Sequence, residues 1–550
     1  MFRRILTGIL LAATAGLSQI TGEQRFFDLQ YLANLFARRY APYEWKRDKL
    51  GFDHYNTAPW IERMRRAADD MEVLEILSEY VASLQDTHAQ FRISSTFSVN
   101  APLAADIYDG RVLIDALNRT VLPVAQFPIQ AGDEILSIDG QPAMEVVKEL
   151  SKPLGWANPR ARLRNAAGFL FSRPQALYPR VFTAGPAVRI EVAHQAGGTG
   201  IYDIPWTRNG SPITRIGPVP GPRTAAEEQS FLRRYHAREI GDERSRVLGL
   251  GARNPYFRLP PGFQTRLGSQ AAHFHYSGTY SAGGRRIGYL RIRNFSPPSE
   301  SAAFTELSQE IAFLEENTDG LVVDVTRNTG GGCYGLAALQ LLIPYPFKLP
   351  ADEVRATLEI LQAVDVDLIL ARQANAPPGE IAQLENLFAQ IRSALDENRG
   401  RTGPLPFCAA SFDHFPAMAR DGRILAYSKP LIVLTDEFTI SWGDTFAAAM
   451  QDNGRGPLFG YRTNGAGGAS SLYPAGFYSE SLTTLSITLG VRHRTIATED
   501  FGETNVLENT GVRPDIPYDY MTRDNLLNAG APFVEAFTAA ILAEIEKAGK

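Results

Sequence analysis

The sequence predicts a multidomain α/β protein, and three observations predict it. At 550 residues the chain exceeds what one hydrophobic core ordinarily organises, so length alone implies about three to four domains. Near the N-terminus apolar residues recur at three- and four-residue intervals, and through the middle they alternate in short runs. From about residue 284 onward, strand-like and helix-like segments take turns, the pattern of βαβ units around a largely parallel sheet.

The elements follow in order. The first residues, MFRRILTGILLAATAGLSQ, set Arg3 and Arg4 before an apolar run from Ile5 to Leu17, with Gly16 and Ser18 as small residues near a cleavage point. Residues 1–18 therefore read as a secretory signal peptide. This implies export, periplasmic or extracellular, with no stable membrane insertion once the signal is removed, since the apolar run is short for a bilayer span. Residues 19–95 carry FFDLQYLANLFARRYAPYEW and WIERMRRAADDMEVLEILSEYVASLQ, two amphipathic patterns that define an N-terminal helical domain. That period breaks at DTHAQF, residues 86–91, which sets His88 at a helix-to-loop boundary.

Residues 96–209 change to β-like runs such as GRVLIDAL and AVRIEVAH. Between them, AGDEILSIDG predicts a strand pair closed by an Asp-Gly turn, and AMEVVKEL a helix after it. This segment resembles the later half of a PDZ domain. The Gly-rich loop that holds a peptide carboxylate in many such domains has no counterpart in NAPLAADIYDG, so a scaffolding β-module is the rival reading. Residues 210–283, rich in Arg, Gly and Pro, read as a linker or long insertion. Alternation then resumes through RRIGYLRIRNF, FTELSQEIAFLEE, GLVVDVT, PLIVLTDE and DTFAAAMQDN, interrupted near 350–400 by an inserted helical pair. Residues 284–550 thus form one α/β domain with a helical insertion.

Composition narrows the function. With 55 basic and 60 acidic side chains and a net charge of -5, the chain lacks the basic block that tracks a phosphate backbone, which excludes nucleic acid as a partner. Cys333 and Cys408 are the only cysteines, and one bridge or two buried thiols stay equally open. The HFH run at 273–275 offers two same-face side chains without a third ligand at useful spacing, so no metal site is read there. No cofactor fingerprint is present either: DVTRNTGGGCYG, residues 324–335, lacks the Lys-Ser/Thr of a P-loop and the spacing of a dinucleotide motif.

Two turns do suit acyl transfer, which needs a fixed nucleophile, a base and donors for an oxyanion. In TDEFTISWGDTF, residues 435–446, Ser441 follows an apolar strand and precedes a helix. There its hydroxyl is exposed beside the Trp442 N–H, although a plain helix N-cap fits the position as well. In DVTRNTGGGCYG the glycines let backbone N–H groups approach a carbonyl oxygen.

Taken in order, the PDZ-like segment, the D-x-x-x-N-x-G-G turn, the serine turn with its helix and the late ENTGVRPDI resemble the C-terminal processing peptidases and their tricorn-like relatives. The resemblance implies a serine endopeptidase with a crotonase-like catalytic domain that cleaves polypeptides through an acyl-enzyme. It puts the nucleophile on Ser441 and the oxyanion donors on the backbone of Trp442, Gly330 and Gly331. The lysine-using branch places its base where GYRTNGAGG has Ala466, and the only lysines after Ser441 are Lys547 and Lys550. The tricorn-like, histidine-using branch instead matches LQDTHAQF and VLENTGVRPDI, nominating His88 as base and Glu508 as its supporting acid, directly or through water. An imidazole, with an unperturbed pKa of ~6.5, is a neutral base near pH 7. Glu499, Asp500 and Glu503 are rival acids and His493 a rival base. A catalytically inactive binding protein on the same scaffold is the alternative function, and an esterase a third, without the G-x-S-x-G elbow. A homo-oligomer stays open.

Overall fold

The computed structural model describes residues 20–216, 248–406, 408–409, 411–476, 478–479, 483–500 and 502–549, so the signal-peptide segment 1–18 lies outside the described residues. The described residues belong to two compact units, one within 1–156, 162–243 and 470–488, the other within 157–161, 244–469 and 489–550.

In the first unit, four helices span Gly22–Arg39, Tyr43–Leu50, Ala58–Arg66 and Asp70–Ala82. Thr21 and Gln24 cap the first reciprocally, while Gly51, at φ 65°, stops the second in the left-handed conformation that glycine tolerates. Asp69 caps the fourth by accepting the Glu72 N–H at 3.0 Å. Their apolar stripes bury Leu29, Leu32, Phe36, Val73, Leu74 and Leu77, each contributing about 1.5–3 kcal/mol by leaving water. Strand Gln90–Ile93 pairs antiparallel with Thr483–Thr488, which pairs with Ser470–Pro474.

The same unit holds an antiparallel sheet in the order Leu103–Tyr108, Arg111–Leu117, Glu134–Ile138, Ala187–Ala193, Thr199–Pro205. The Asp-Gly turn takes φ 49° at Asp139 and 80° at Gly140, the two positive values that a tight hairpin requires. Helix Ala143–Ser151 follows at once and buries Ala143 and Val147.

The second unit is built on a seven-stranded sheet in the order Gln264–Leu267, Tyr276–Ala282, Arg285–Arg291, Gly320–Asp324, Leu431–Thr435, Leu458–Gly460, Ile516–Pro517. The first two pairings are antiparallel and the other four parallel. Residues 264–282, placed above in a linker, are thus two strands of the central sheet. Gly283 and Gly284, at φ 55° and 73°, close a hairpin between Tyr276–Ala282 and Arg285–Arg291. The surrounding Arg, Gly and Pro content masked this hairpin signal.

Strands Gly320–Asp324 and Leu431–Thr435 are buried at every position, as parallel strands covered on both faces are. On one face Leu321, Val323 and Val325 join Leu307, Ile311 and Leu314 of helix Glu300–Asn317 and Phe446 of helix Trp442–Asp452. Helix Ala531–Ala548 packs against the same two strands. A Cβ on Gly320 would meet Ile545 Cδ1 at 2.8 Å, so a larger residue there would have to displace that side chain. The 350–400 segment holds helices Leu358–Gln373 and Pro378–Asp396 between strands Ala351–Arg355 and Arg401–Leu405, which pair antiparallel. Cys333 and Cys408 form a disulfide across a Cα separation of 5.4 Å, which closes the alternative of two free thiols. None of the described helices is long and apolar enough to cross a membrane.

Candidate active site

The serine turn begins where strand Leu431–Thr435 ends. Asp436, fully buried, accepts the N–H groups of Arg327 at 2.8 Å and Phe438 at 3.1 Å and the Thr439 hydroxyl at 3.1 Å, which folds the chain back sharply. Ser441 then takes φ 60° and ψ −115°, a conformation that costs a residue with a Cβ about 1–3 kcal/mol and persists only when its surroundings hold it. Its carbonyl accepts the Thr445 N–H at 3.0 Å and so starts helix Trp442–Asp452. Ser441 is half-buried, whereas Trp442 is 2 % exposed and packs on Phe295.

The glycine turn comes up against it. Asp324, at the end of its strand, pairs with the Arg291 guanidinium at 2.7 Å, accepts the Tyr289 hydroxyl at 2.5 Å and takes the Thr326 N–H at 2.8 Å, all buried. The Asn328 carbonyl accepts the Ile440 N–H at 2.9 Å and ties the two turns together. At Gly330, φ 78°, an added Cβ would fall 2.5 Å from Ser441 Cβ and 3.0 Å from Trp442 N. Only glycine allows that approach. Of the predicted donors, Gly330 is the one the geometry argues against, because its N–H already donates to Asn328 Oδ1 at 2.8 Å. The Gly331 N–H has no backbone acceptor among the described residues, and Phe295 C would lie 2.4 Å from a Cβ there.

Carboxylates decide the rest of this unit. Asp444, fully buried, accepts N–H groups from Ser441 at 2.9 Å, Gly465 at 2.8 Å and Ala466 at 3.2 Å. Burial pushes it up to about 6, against the opposite pull of the Thr463 hydroxyl and those three N–H groups. Neither Asp444 nor Asn328 was singled out from the sequence, although each stands at a fixed offset in its turn. Glu508 is fully buried and accepts the Gly467 N–H at 3.3 Å. Its rivals Glu499 and Glu503 are exposed, and Asp500 pairs with Arg513. The rival base His493 spends both ring nitrogens in its own sheet, Nδ1 at 3.2 Å from Asn505 Oδ1 and Nε2 at 3.2 Å from Glu353 Oε2. In the HFH run, His273 Nδ1 accepts the Gly268 N–H at 2.9 Å, while His275 sits between Glu306 and Tyr334 at 2.6 and 3.1 Å, so the two rings serve different partners.

His88 belongs to the first unit. It lies just before strand Gln90–Ile93, with its N–H on Asp86 Oδ1 at 2.8 Å. Asp86 is fully buried, also takes the Ala89 N–H at 3.2 Å, and receives the Thr488 hydroxyl on Oδ2 at 2.7 Å.

Fold and turns together define a multidomain protein with a helical N-terminus, a β-module and an α/β domain. Residues 286–518 match peptidase family S41, and residues 98–211 match the PDZ domain. The chain is accordingly a serine-type peptidase that carries an S41 domain and a PDZ domain. A protein of Chlamydia pneumoniae is 25% identical over 613 residues, covering 99% of this chain and 94% of its own length. An uncharacterized protein of Chlamydia muridarum is 25% identical over 601 residues, with 95% and 94% covered. The structure of mature CPAF complexed with lactacystin shares the fold at a TM-score of 0.75 and 21% identity, covering 96% of this chain and 99% of that one.

Proposed function

We propose that this chain is an exported serine endopeptidase that cleaves polypeptides through an acyl-enzyme on Ser441. His88 acts as general base, Glu508 supports it, and the N–H groups of Trp442 and Gly331 stabilise the oxyanion, with Gly330 providing room rather than a donor. The observation that carries the reading is the strained turn at Ser441, held against a glycine whose missing Cβ leaves 2.5 Å. An ordinary helix N-cap needs neither the positive φ nor the glycine contact. Burial of Glu508 and the engagement of both His493 nitrogens support Glu508 over its rivals and His88 over His493. The basic-then-apolar run at 1–18 supports export. The test is labelling with fluorophosphonate–rhodamine: the wild-type chain is expected to label stoichiometrically at Ser441. A folded, freshly purified chain that takes no label would return the protein to the binding-module reading.

A further inference from the structure

Asp444 is absorbed by none of the roles above, yet it is a fully buried carboxylate whose acceptor positions are all occupied. A carboxylate offers about four acceptor positions, and here four donors occupy them: Ser441 N–H, Gly465 N–H, Ala466 N–H and the Thr463 hydroxyl. A capping-box residue at this offset ordinarily accepts only the N-cap N–H, at a helix end open to water. Asp444 has no exposure at all, and three of its four donors come from a segment about twenty residues further on. Among the described residues it forms no ion pair, and its charge acts on the Arg462 guanidinium.

We propose that Asp444 is a positioning residue for catalysis, which clamps the backbone of Ser441 and of residues 463–466 in one arrangement and thereby holds the nucleophile in its strained conformation. Because most of the donors are backbone N–H groups, the clamp fixes where the chain runs, whatever side chains stand at 465 and 466. It holds Ser441 through its N–H, within a capping box whose other half sets the Ser441 side chain against the Asp444 N–H. The same clamp fixes Ala466, whose side chain is buried and whose N–H is already bound. Thr463 is tied in from the other side, since its hydroxyl oxygen also accepts the Val512 N–H at 2.8 Å. Loss of the carboxylate frees the Ser441 backbone to relax, and a displacement of about 1 Å at a reacting group costs on the order of 10²-fold in rate.

The inference rests on Ser441 as nucleophile, and one set of variants separates the two. Full-length chain is titrated with fluorophosphonate–rhodamine to give the maximal inactivation rate and the apparent affinity of the probe, beside circular dichroism and thermal melting. Asp444→Asn is expected to keep the probe affinity and lose about 10²-fold in inactivation rate. A folded Asp444→Asn chain with the wild-type rate overturns the proposal, as does one that weakens affinity alone. Ser441→Ala is the control: continued labelling there sinks the nucleophile reading itself, whatever Asp444 does. If Asp444→Asn does not fold, Thr463→Val decides, because it removes a single donor to the clamp. It is expected to lose about tenfold in inactivation rate at unchanged affinity, the weight of one hydrogen bond to a charged group. An unchanged rate in that variant overturns the proposal.

Discussion

The turn that carries Ser441 and the turn that carries His88 are each held by a buried aspartate, but the two aspartates reach for different donors. Asp86 takes the N–H groups two and three residues ahead of it, a local turn that short side chains form readily, and adds one distant hydroxyl from Thr488. Asp444 takes the N–H three residues behind it, and its other donors come from 463–466. The backbone differs in the same sense. In the first turn the positive φ, 49°, falls on Gln85, and in the second, 60°, it falls on the proposed nucleophile itself. The His88 turn is thus organised mainly by its own residues, whereas the strained Ser441 turn is tied to a remote segment. Substitutions should therefore be felt more sharply at the second than at the first.

The largest effect is expected at the end of that chain of support. Ser441→Ala should abolish hydrolysis of fluorescein-labelled casein while leaving the melting temperature close to that of the wild-type chain, since a half-buried hydroxyl contributes little to packing. Casein turnover at the wild-type rate in the folded variant would remove the site from this turn. Next come the residues of the base turn. His88→Ala should cost on the order of 10²-fold or more, as loss of a positioned general base does. Asp86→Ala should cost less than His88→Ala, and Asp86→Asn less again, because asparagine keeps the oxygen that accepts the His88 N–H. If Asp86→Ala matched Asp444→Asn in its effect on rate, the contrast between a local and a remote clamp would fail.

Glu508→Gln should lower turnover less than His88→Ala, since the amide keeps the shape and an acceptor for the Gly467 N–H while losing the charge. An unchanged rate would pass the supporting role to another carboxylate. Among the late acids, exposure alone leaves Glu499 and Glu503 poor substitutes.

Much of this was legible beforehand, for reasons that differ by region. The parallel strands were plain because burial on both faces writes GLVVD and LIVLT as unbroken apolar runs. The Asp-Gly hairpin announced itself because only a few residues tolerate φ above zero twice in succession. Strands Gln264–Leu267 and Tyr276–Ala282 were missed, since the polar, glycine-containing QTRL and YSGTYSA carry little of the alternation that marks a strand. Within the site, Ser441 and the glycine turn stood out by position, but the work of Asn328 and Asp444 did not. Both act on backbone N–H groups; the Ser441–Asp444 spacing is that of a capping box and foretells the Ser441 N–H, but no spacing foretells the donors at 463–466. The same blindness led to Gly330 as a donor, although the Asn two residues before it already binds its N–H.

The two units also differ in what acid does to them. His54, in the first unit, is 1 % exposed among Phe36, Tyr40, Tyr43, Phe52 and Tyr55, and neither ring nitrogen has a hydrogen-bond partner among the described residues. Burial lowers it to about 4, slightly opposed by Asp53. The unfolded chain therefore takes up the proton first, and the stability that neutral His54 supplies, about 3 kcal/mol, is complete above ~6.5 and lost as pH falls toward 4. Asp444 has the opposite sign, because burial raises it to about 6 and the folded state takes the proton first. On acidification from pH 7 to 5, amide protection factors in helices 22–82 should fall more than those in 441–466. A His54→Phe chain should lose most of that difference. An equal fall in protection in both segments would contradict the assignment.

The smallest expected effect is the one that most directly guards the choice of base. His493→Ala should leave casein turnover near normal, because the ring is committed to Asn505 and to a glutamate that Arg401 also holds at 2.8 Å. Removing it costs partly exposed polar contacts and little else, about 0–1 kcal/mol, and Arg401 still compensates Glu353. The strand Gly490–Thr498 keeps its backbone pairing to Ala351–Arg355 in any case. The informative comparison is His493→Ala against His88→Ala with the same substrate and the same preparation. Turnover that survives at 493 and collapses at 88 keeps the base in the turn organised by Asp86. The reverse would transfer it to the late strand, and with it would go the reason for reading the Asp86 turn as catalytic.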